Sequence, residues 1–166
     1  MNSYMTNGTE SYLKSLMDKH SDLDFLLMQE AETAVLYYEA EDRNIFESGR
    51  SYEHVITSGE IANEGYIVIN NIPVTDEGRP MFEERFRQRQ QQVESTPGFQ
   101  AFRLLRPLSG NTYAAFTQWQ SKQDFENWTE SEAFKQAHAN RPPKPPAYYA
   151  DRPYIKKYTV VTSDKK

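Results

Sequence analysis

The order strand–helix–strand–strand occurs twice in this chain of 166 residues, and the repeat restricts the folds that it can adopt. In the first half, Thr9 can cap a helix after the first predicted strand. Apolar runs rich in β-forming residues predict the strands of this half at residues 3–6, 24–29 and 34–38. The polar stretch 41–60 is ambiguous, and it predicts a short strand near Ile45 and a short helix at residues 52–56.

The second half repeats this order and then extends it. Pro80 fits the first turn of a helix that runs to about residue 94, and Ser121 can cap a later helix. Strands are predicted at residues 66–74, 99–105, 112–119 and 154–161. Because side-chain identity between the halves is poor, the repeat rests on the order of elements alone. Two ferredoxin-like α+β units packed sheet to sheet, a fused pseudo-dimer, are therefore predicted.

Composition excludes several classes of protein. The net charge of −5 argues against a nucleic-acid partner, which needs a basic face. The absence of cysteine excludes disulfides, thiolate catalysis and iron–sulfur clusters. No apolar run approaches the ~20 residues of a membrane span, and residues 1–19 lack an apolar core of signal-peptide type. These features predict a cytoplasmic protein without a membrane segment.

The helix that ends near residue 94 carries a local concentration of charge. The adjacent carboxylates Glu83 and Glu84 predict a solvated helix face. The same interpretation applies to a cluster of arginines, whose alternative role is to dock carboxylates or phosphates; these are Arg79, Arg85, Arg87 and Arg89.

Trp128 and His138 lie ten residues apart after the strand at 112–119. In one straight helix they would be ~15 Å apart and turned by ~80°. Residues 129–132 have the form of a capping box, which predicts that the helix breaks and restarts between them. Both side chains can then face one cavity and hold a planar, iron-bearing ligand. The alternatives are a core position for Trp128 and a surface or packing position for His138.

Asn70 is a polar residue on an apolar strand face, between Val68 and Ile72. Its carboxamide can both donate and accept hydrogen bonds. One interpretation is that backbone groups satisfy the hydrogen-bonding capacity of the Asn70 side chain. The other is a donor that stabilises charge developing on a ligand oxygen in a dry pocket. On the second interpretation, Asn70 together with Trp128 and His138 predicts a haem site.

Residues 119–138 carry a spaced motif that resembles a known family; its members here are Trp119, Ser121, Phe125, Trp128, Ser131, Phe134, Ala137 and His138. The pattern is similar to that of the Isd-type haem-degrading monooxygenases, in the antibiotic-biosynthesis-monooxygenase superfamily of dimeric α+β barrels. The resemblance covers about residues 65–162, and the two-part layout is most similar to the Bacillus-type members. It implies a ferredoxin-like dimeric α+β barrel with two βαββ-type halves fused in one chain.

The resemblance also implies roles for particular residues. His138 would be the axial ligand of haem iron, Trp128 would distort the porphyrin, and Asn70 would hydrogen-bond oxygen bound to iron. Arg85 and Phe86 match residues near the haem in the family. Residues 65–162 would then be the haem-binding domain and residues 163–166 a tail. Residues 1–62 would act as a pseudo-partner that replaces a second subunit, which predicts a monomer.

The implied activity is haem degradation, with haem as both substrate and cofactor. O₂ and an external electron donor would open the porphyrin and release iron. Since no flavin or nicotinamide site is visible in the sequence, a separate reductase is expected to supply the electrons. Two alternatives remain: a haem carrier or sensor, and a non-catalytic regulatory protein on the same scaffold, like the staphylococcal regulatory proteins that share the two-part layout.

Overall fold

The structure, a computed structural model, describes residues 1–131 and 148–162; within residues 89–92 it describes the backbone alone. Eight antiparallel strands in this part of the chain form one closed barrel. The strands are β1 (Asn2–Gly8), β2 (Leu26–Glu30), β3 (Thr33–Ala40), β4 (Arg50–Gly59), β5 (Tyr66–Pro73), β6 (Phe99–Pro107), β7 (Thr112–Trp119) and β8 (Tyr154–Val160). Around the barrel they follow the order β1, β3, β2, β8, β5, β7, β6, β4, and β4 returns to β1.

Three helices of the described residues lie outside the barrel: α1 (Glu10–Lys19), α2 (Arg79–Glu94) and α3 (Lys122–Thr129). The side chain of Thr9 accepts a hydrogen bond from the Tyr12 amide, and that of Ser121 accepts one from the Asp124 amide, so both predicted caps are confirmed. Pro80 stands in the first turn of α2, as predicted. None of the helices in the described ranges has the length and apolar character needed to cross a membrane.

The two halves of the barrel, β1–β4 and β5–β8, are related by a repeated pairing rule. The fourth strand of each half pairs with the first strand of its own half and with the second strand of the other. β4 therefore lies between β1 and β6, and β8 lies between β5 and β2. The predicted ferredoxin-like α+β barrel with two fused halves is confirmed. The halves join edge to edge at these two seams, which leaves no strand edge unpaired.

The ambiguous stretch 41–60 was predicted incorrectly. Residues 52–56 belong to the ten-residue strand β4 and not to a helix. Tyr52, Val55 and Ile56 favour a strand, and the edges of β1 and β6 offer hydrogen-bonding partners on both sides. No strand forms near Ile45, whose amide instead donates to the Tyr38 hydroxyl at 2.9 Å.

Side chains fill the barrel interior, as is usual for eight strands. Tyr37 of the first half stacks on Phe116 of the second, with ring centroids 4.7 Å apart. The buried residues around this pair come from all eight strands: Met5, Leu26, Met28, Val35, Tyr52, Ile67, Ile69, Leu105, Ala114, Tyr158 and Val160. A ligand as large as a porphyrin must therefore bind outside the barrel.

The outer face of the second half is covered by α2 and α3, and two apolar clusters form there. The tryptophan cluster consists of Tyr66, Val68, Val93, Phe99, Trp119, Phe125 and Trp128. The phenylalanine cluster consists chiefly of Ile72, Val74, Phe82, Phe86, Phe102, Leu104 and Tyr113, and Tyr148 and Tyr149 pack against it. β5 contributes to both, because its alternate residues face outward.

Candidate functional site

Asn70 lies on the outward face of β5, between the two apolar clusters. It is half-buried, opposite Ala115 on β7 and Ile155 on β8. Its Oδ1 atom is buried and accepts no hydrogen bond from the residues that the structure describes. Leaving a buried acceptor unpaired costs about 1–3 kcal/mol, so such an atom requires an explanation. Within the described residues, Oδ1 is therefore an acceptor that a ligand could use.

Trp128 stands near the end of α3 and completes the tryptophan cluster. Its indole packs against Trp119, with ring centroids 5.5 Å apart, and against Phe125 at 6.4 Å. Trp119 is fully buried, whereas Trp128 is only half-buried. Trp128 is thus both a packing residue and a residue with accessible surface, so the two interpretations of its role do not exclude one another.

Phe86 and Arg85 are neighbours on α2 with opposite environments. Phe86 is half-buried in the phenylalanine cluster, 5.0 Å from Phe82 and nearly parallel to Phe102 at 6.3 Å. Arg85 is exposed. Asn70 therefore lies on the outer face between the cluster of Trp128 and the cluster of Phe86, while the Arg85 guanidinium is at the protein surface.

His138 lies outside the described residues, as do the helix predicted to restart after residues 129–132 and the tail at 163–166. The axial role of His138 stays a prediction. Within the ranges 1–131 and 148–162, no group of three His, Asp or Glu side chains has the geometry to hold a metal ion. Haem iron does not need such a group, because a single axial imidazole is sufficient.

Glu83 was predicted to be solvated, and this is wrong. Its side chain is 5% exposed and accepts two hydrogen bonds from Arg106 on β6, from Nε to Oε2 at 2.8 Å and from Nη2 to Oε1 at 2.7 Å. The Tyr113 hydroxyl donates to Oε2 at 2.5 Å. Burial would raise the pKa of the Glu83 carboxyl, but these hydrogen bonds and the Arg106 charge outweigh it, so the pKa lies below its usual value.

This bidentate pair fixes α2 on the sheet, beside the phenylalanine cluster. Helical periodicity did not reveal this pair, because two adjacent glutamates on a helix give no sign of which one is buried. Glu84, at the next position, is exposed as predicted. The hydrogen-bonding partners on β6 and β7 determine which of the two carboxylates is buried. Because these partners lie far from α2 in the sequence, no local pattern indicates the pair.

A second polar cluster that the sequence did not reveal lies at one end of the barrel. Ser3 Oγ shares hydrogen bonds with His54 Nε2 at 2.6 Å and with the Tyr37 hydroxyl at 2.9 Å. Tyr37 donates to Glu39 Oε2 at 2.5 Å, and Arg103 Nε donates to the same oxygen at 2.8 Å. Because Ser3 and Tyr37 are almost completely buried, the cluster is a structural junction and not a substrate site.

Comparison with known proteins supports the family predicted for the second half of the chain. Residues 65–140 match the family model described as antibiotic biosynthesis monooxygenase. The chain is 29% identical over 133 residues to a heme-degrading monooxygenase of Listeria monocytogenes, covering 80% of both chains. It is 24% identical over 132 residues to the signal transduction protein TRAP of Staphylococcus aureus, covering 80% of this chain and 79% of the other.

A solved structure extends these similarities. It is a variant of MhuD, a heme degrader of Mycobacterium tuberculosis, with two manganese protoporphyrin IX molecules bound per active site. The chain is 30% identical to it and covers 99% of it with 61% of its own length, at a TM-score of 0.51. Through its second half, the chain belongs to the antibiotic biosynthesis monooxygenase superfamily.

Proposed function

We propose that the protein is a haem-degrading monooxygenase, for which haem is both substrate and cofactor. The observation that carries this proposal is the Asn70 carboxamide on the face between two aromatic clusters, with a buried Oδ1 that has no hydrogen-bond partner within residues 1–131 and 148–162. The similarity to a heme-degrading monooxygenase over 80% of the chain supports it.

The described residues fit a porphyrin. A flat apolar macrocycle suits a surface of aromatic side chains, and the half-buried Trp128 and Phe86 provide accessible apolar surface in the two clusters that flank Asn70. The Asn70 carboxamide adds one polar contact, through which orientation and specificity arise in mostly apolar sites. His138, in the matching motif, would hold the haem iron through its imidazole.

When bound, haem would supply the iron at which O₂ reacts, and a separate reductase would supply the electrons. The chain's own residues would position the ring and protect it. Trp128 would press its indole against the macrocycle and distort it. Asn70 would donate a hydrogen bond from Nδ2 where negative charge develops. The two aromatic clusters would exclude water, which strengthens that hydrogen bond.

Within this proposal, residues 65–162 form the haem-binding domain and residues 1–62 act as the pseudo-partner. β2 and β4 of the first half pair with β8 and β6, so both edges of the second sheet are already occupied. We therefore expect a monomer, which sizing chromatography tests. A cytoplasmic location, where a reductase can reach the enzyme, also belongs to the proposal.

The test is a haem titration followed by ascorbate in air. A Soret band is expected to form on binding and to bleach after the reductant is added. Asn70→Ala and Trp128→Ala are each expected to retain haem and lose most of the bleaching, whereas His138→Ala is expected to lose binding. A Soret band that forms and persists in the wild type would contradict the proposed activity.

The similarity to a signal transduction protein favours a second candidate, a non-catalytic regulator on the same scaffold. A regulator without haem predicts no shift of the Soret band of added haem and no effect of His138→Ala on ligand binding. A haem carrier or sensor predicts a stable Soret band that is insensitive to reductant in air. The same titration therefore separates all three functions.

A further inference from the structure

Lys157 stands on the outward face of β8, close to the candidate site. It pairs with Val68 of β5, while Asn70 pairs with Ile155. Lys157 and Asn70 are therefore diagonal neighbours on one face of an antiparallel pair, at a typical separation of roughly 7–8 Å. The lysine side chain is exposed, so its ammonium can meet a ligand that enters from solvent.

A second contact places this ammonium at the junction of the sheet and α3. Lys157 Nζ lies 5.5 Å from the ring centroid of Phe125, which stands one turn before Trp128 on α3. The flexible lysine stem can leave such a contact at little cost, because an exposed cation–π contact is worth only about 0.5–1 kcal/mol.

The charge of Lys157 has no partner among the described carboxylates. Its neighbour Lys156 faces the other side of β8 and pairs with Glu30 at 3.7 Å, and Lys122 pairs with Glu126 at 4.0 Å. Lys157 takes part in no such ion pair within residues 1–131 and 148–162. A cation that lies beside the tryptophan cluster and has no ion pair within the described residues is complementary to a flat ligand with acidic arms.

We propose that Lys157 binds a carboxylate arm of the tetrapyrrole and makes the site selective for macrocycles with free acidic side chains. This inference rests on the proposed function and names the chemistry that the site selects. An apolar ring that packs beside Asn70 and Trp128 would keep its acidic arms in solvent, where the exposed Lys157 side chain can reach them. Arg85, exposed on α2, is the competing anchor.

The experiment is an absorbance titration with two ligands, haem and haem dimethyl ester, in the same cosolvent. Lys157→Gln is expected to raise the Kd for haem about threefold to tenfold and to leave the Kd for the diester unchanged. Lys156→Gln is the matched control on the same strand and is expected to change neither Kd. High salt should reduce the wild-type preference for free haem over the diester.

The outcomes distinguish this inference from the function on which it rests. If the wild type binds neither ligand, the proposed function fails and the inference fails with it. If the wild type binds haem and Lys157→Gln binds it equally well, or loses the same factor for both ligands, only the inference is overturned. A preference for free haem that disappears in Arg85→Gln and persists in Lys157→Gln also overturns it.

Discussion

Arg103 on β6 donates a hydrogen bond from Nε to Oε2 of Glu39 on β3, across 2.8 Å, and so joins the two halves of the chain. Its Nη1 also donates to the carbonyl oxygens of Ser58 and Gly59 on β4, at 2.9 and 3.0 Å. The Arg103 side chain is 4% exposed. Nη1 also lies 3.0 Å from the Phe102 carbonyl oxygen, so one buried cation satisfies a carboxylate and three carbonyl groups at the seam between β4 and β6.

Arg103→Met is expected to lower the free energy of unfolding by roughly 3 kcal/mol, because it removes the counter-charge of Glu39 and the donor to three carbonyl groups. Urea denaturation measures the change. Arg43→Met is the control, since Arg43 is exposed and pairs with the exposed Asp22, and little change is expected there. Equal losses of unfolding free energy in the two variants would show that the Arg103–Glu39 pair contributes no more to stability than an exposed ion pair.

His54, in the same cluster, is expected to make stability depend on pH. Burial lowers the pKa of His54 below its ordinary value of 6.5, an effect that Glu39 opposes and that Arg103 and the N-terminal amine reinforce. The unfolded state then binds more protons than the folded state below about pH 7. The contribution of His54 to stability is thus complete above pH 6.5 and is lost as the pH falls through and below that value.

Urea denaturation at a series of pH values from about 8 to about 5 checks this sign. The decline in the free energy of unfolding toward acid should be smaller in His54→Gln than in the wild type. Glu39 and Glu41 also face His54, so only the difference between the two proteins is diagnostic. A steeper decline in the free energy of unfolding of the variant would show that protonation of His54 stabilises the folded state. The direction assigned to the His54 pKa shift would then be wrong.

Glu83→Gln is expected to destabilise the protein by roughly 2 kcal/mol, because the bidentate charged pair with Arg106 becomes a single neutral contact. Glu84→Gln is the adjacent control, and its exposed side chain predicts a change within about 0.5 kcal/mol. Thermal denaturation of both variants provides the comparison. Similar melting temperatures for the two variants would mean that the buried pair does not hold α2.

Asn70→Leu is expected to stabilise the ligand-free protein by about 1 kcal/mol, because it replaces a buried unpaired carboxamide oxygen with an apolar group of similar size. The same variant should lose haem turnover. Asn71→Leu is the control on the opposite face of β5, where the amide donates to the Ile69 and Tyr154 carbonyls at 3.5 Å. A destabilised Asn70→Leu protein would indicate that this asparagine is structural.

Several features of the fold and the site were determined by local sequence alone. The alternation of residues 66–74 placed Asn70 on the same face as Val68 and Ile72, and the structure confirms this arrangement. The caps at Thr9 and Ser121 fixed where α1 and α3 begin. These predictions succeed because each depends on backbone periodicity or on a hydrogen bond within one turn.

The tertiary structure decided what depends on partners far apart in the chain. Residues 50–59 became a strand because β1 and β6 offered two free edges, although the local pattern was ambiguous. Glu83 is buried because Arg106 and Tyr113 lie opposite it, and Glu39 meets Arg103 only when the barrel closes. Local patterns specify which residues share one face of a helix or strand. A buried charge, in contrast, is stable only where the fold supplies its counter-charge.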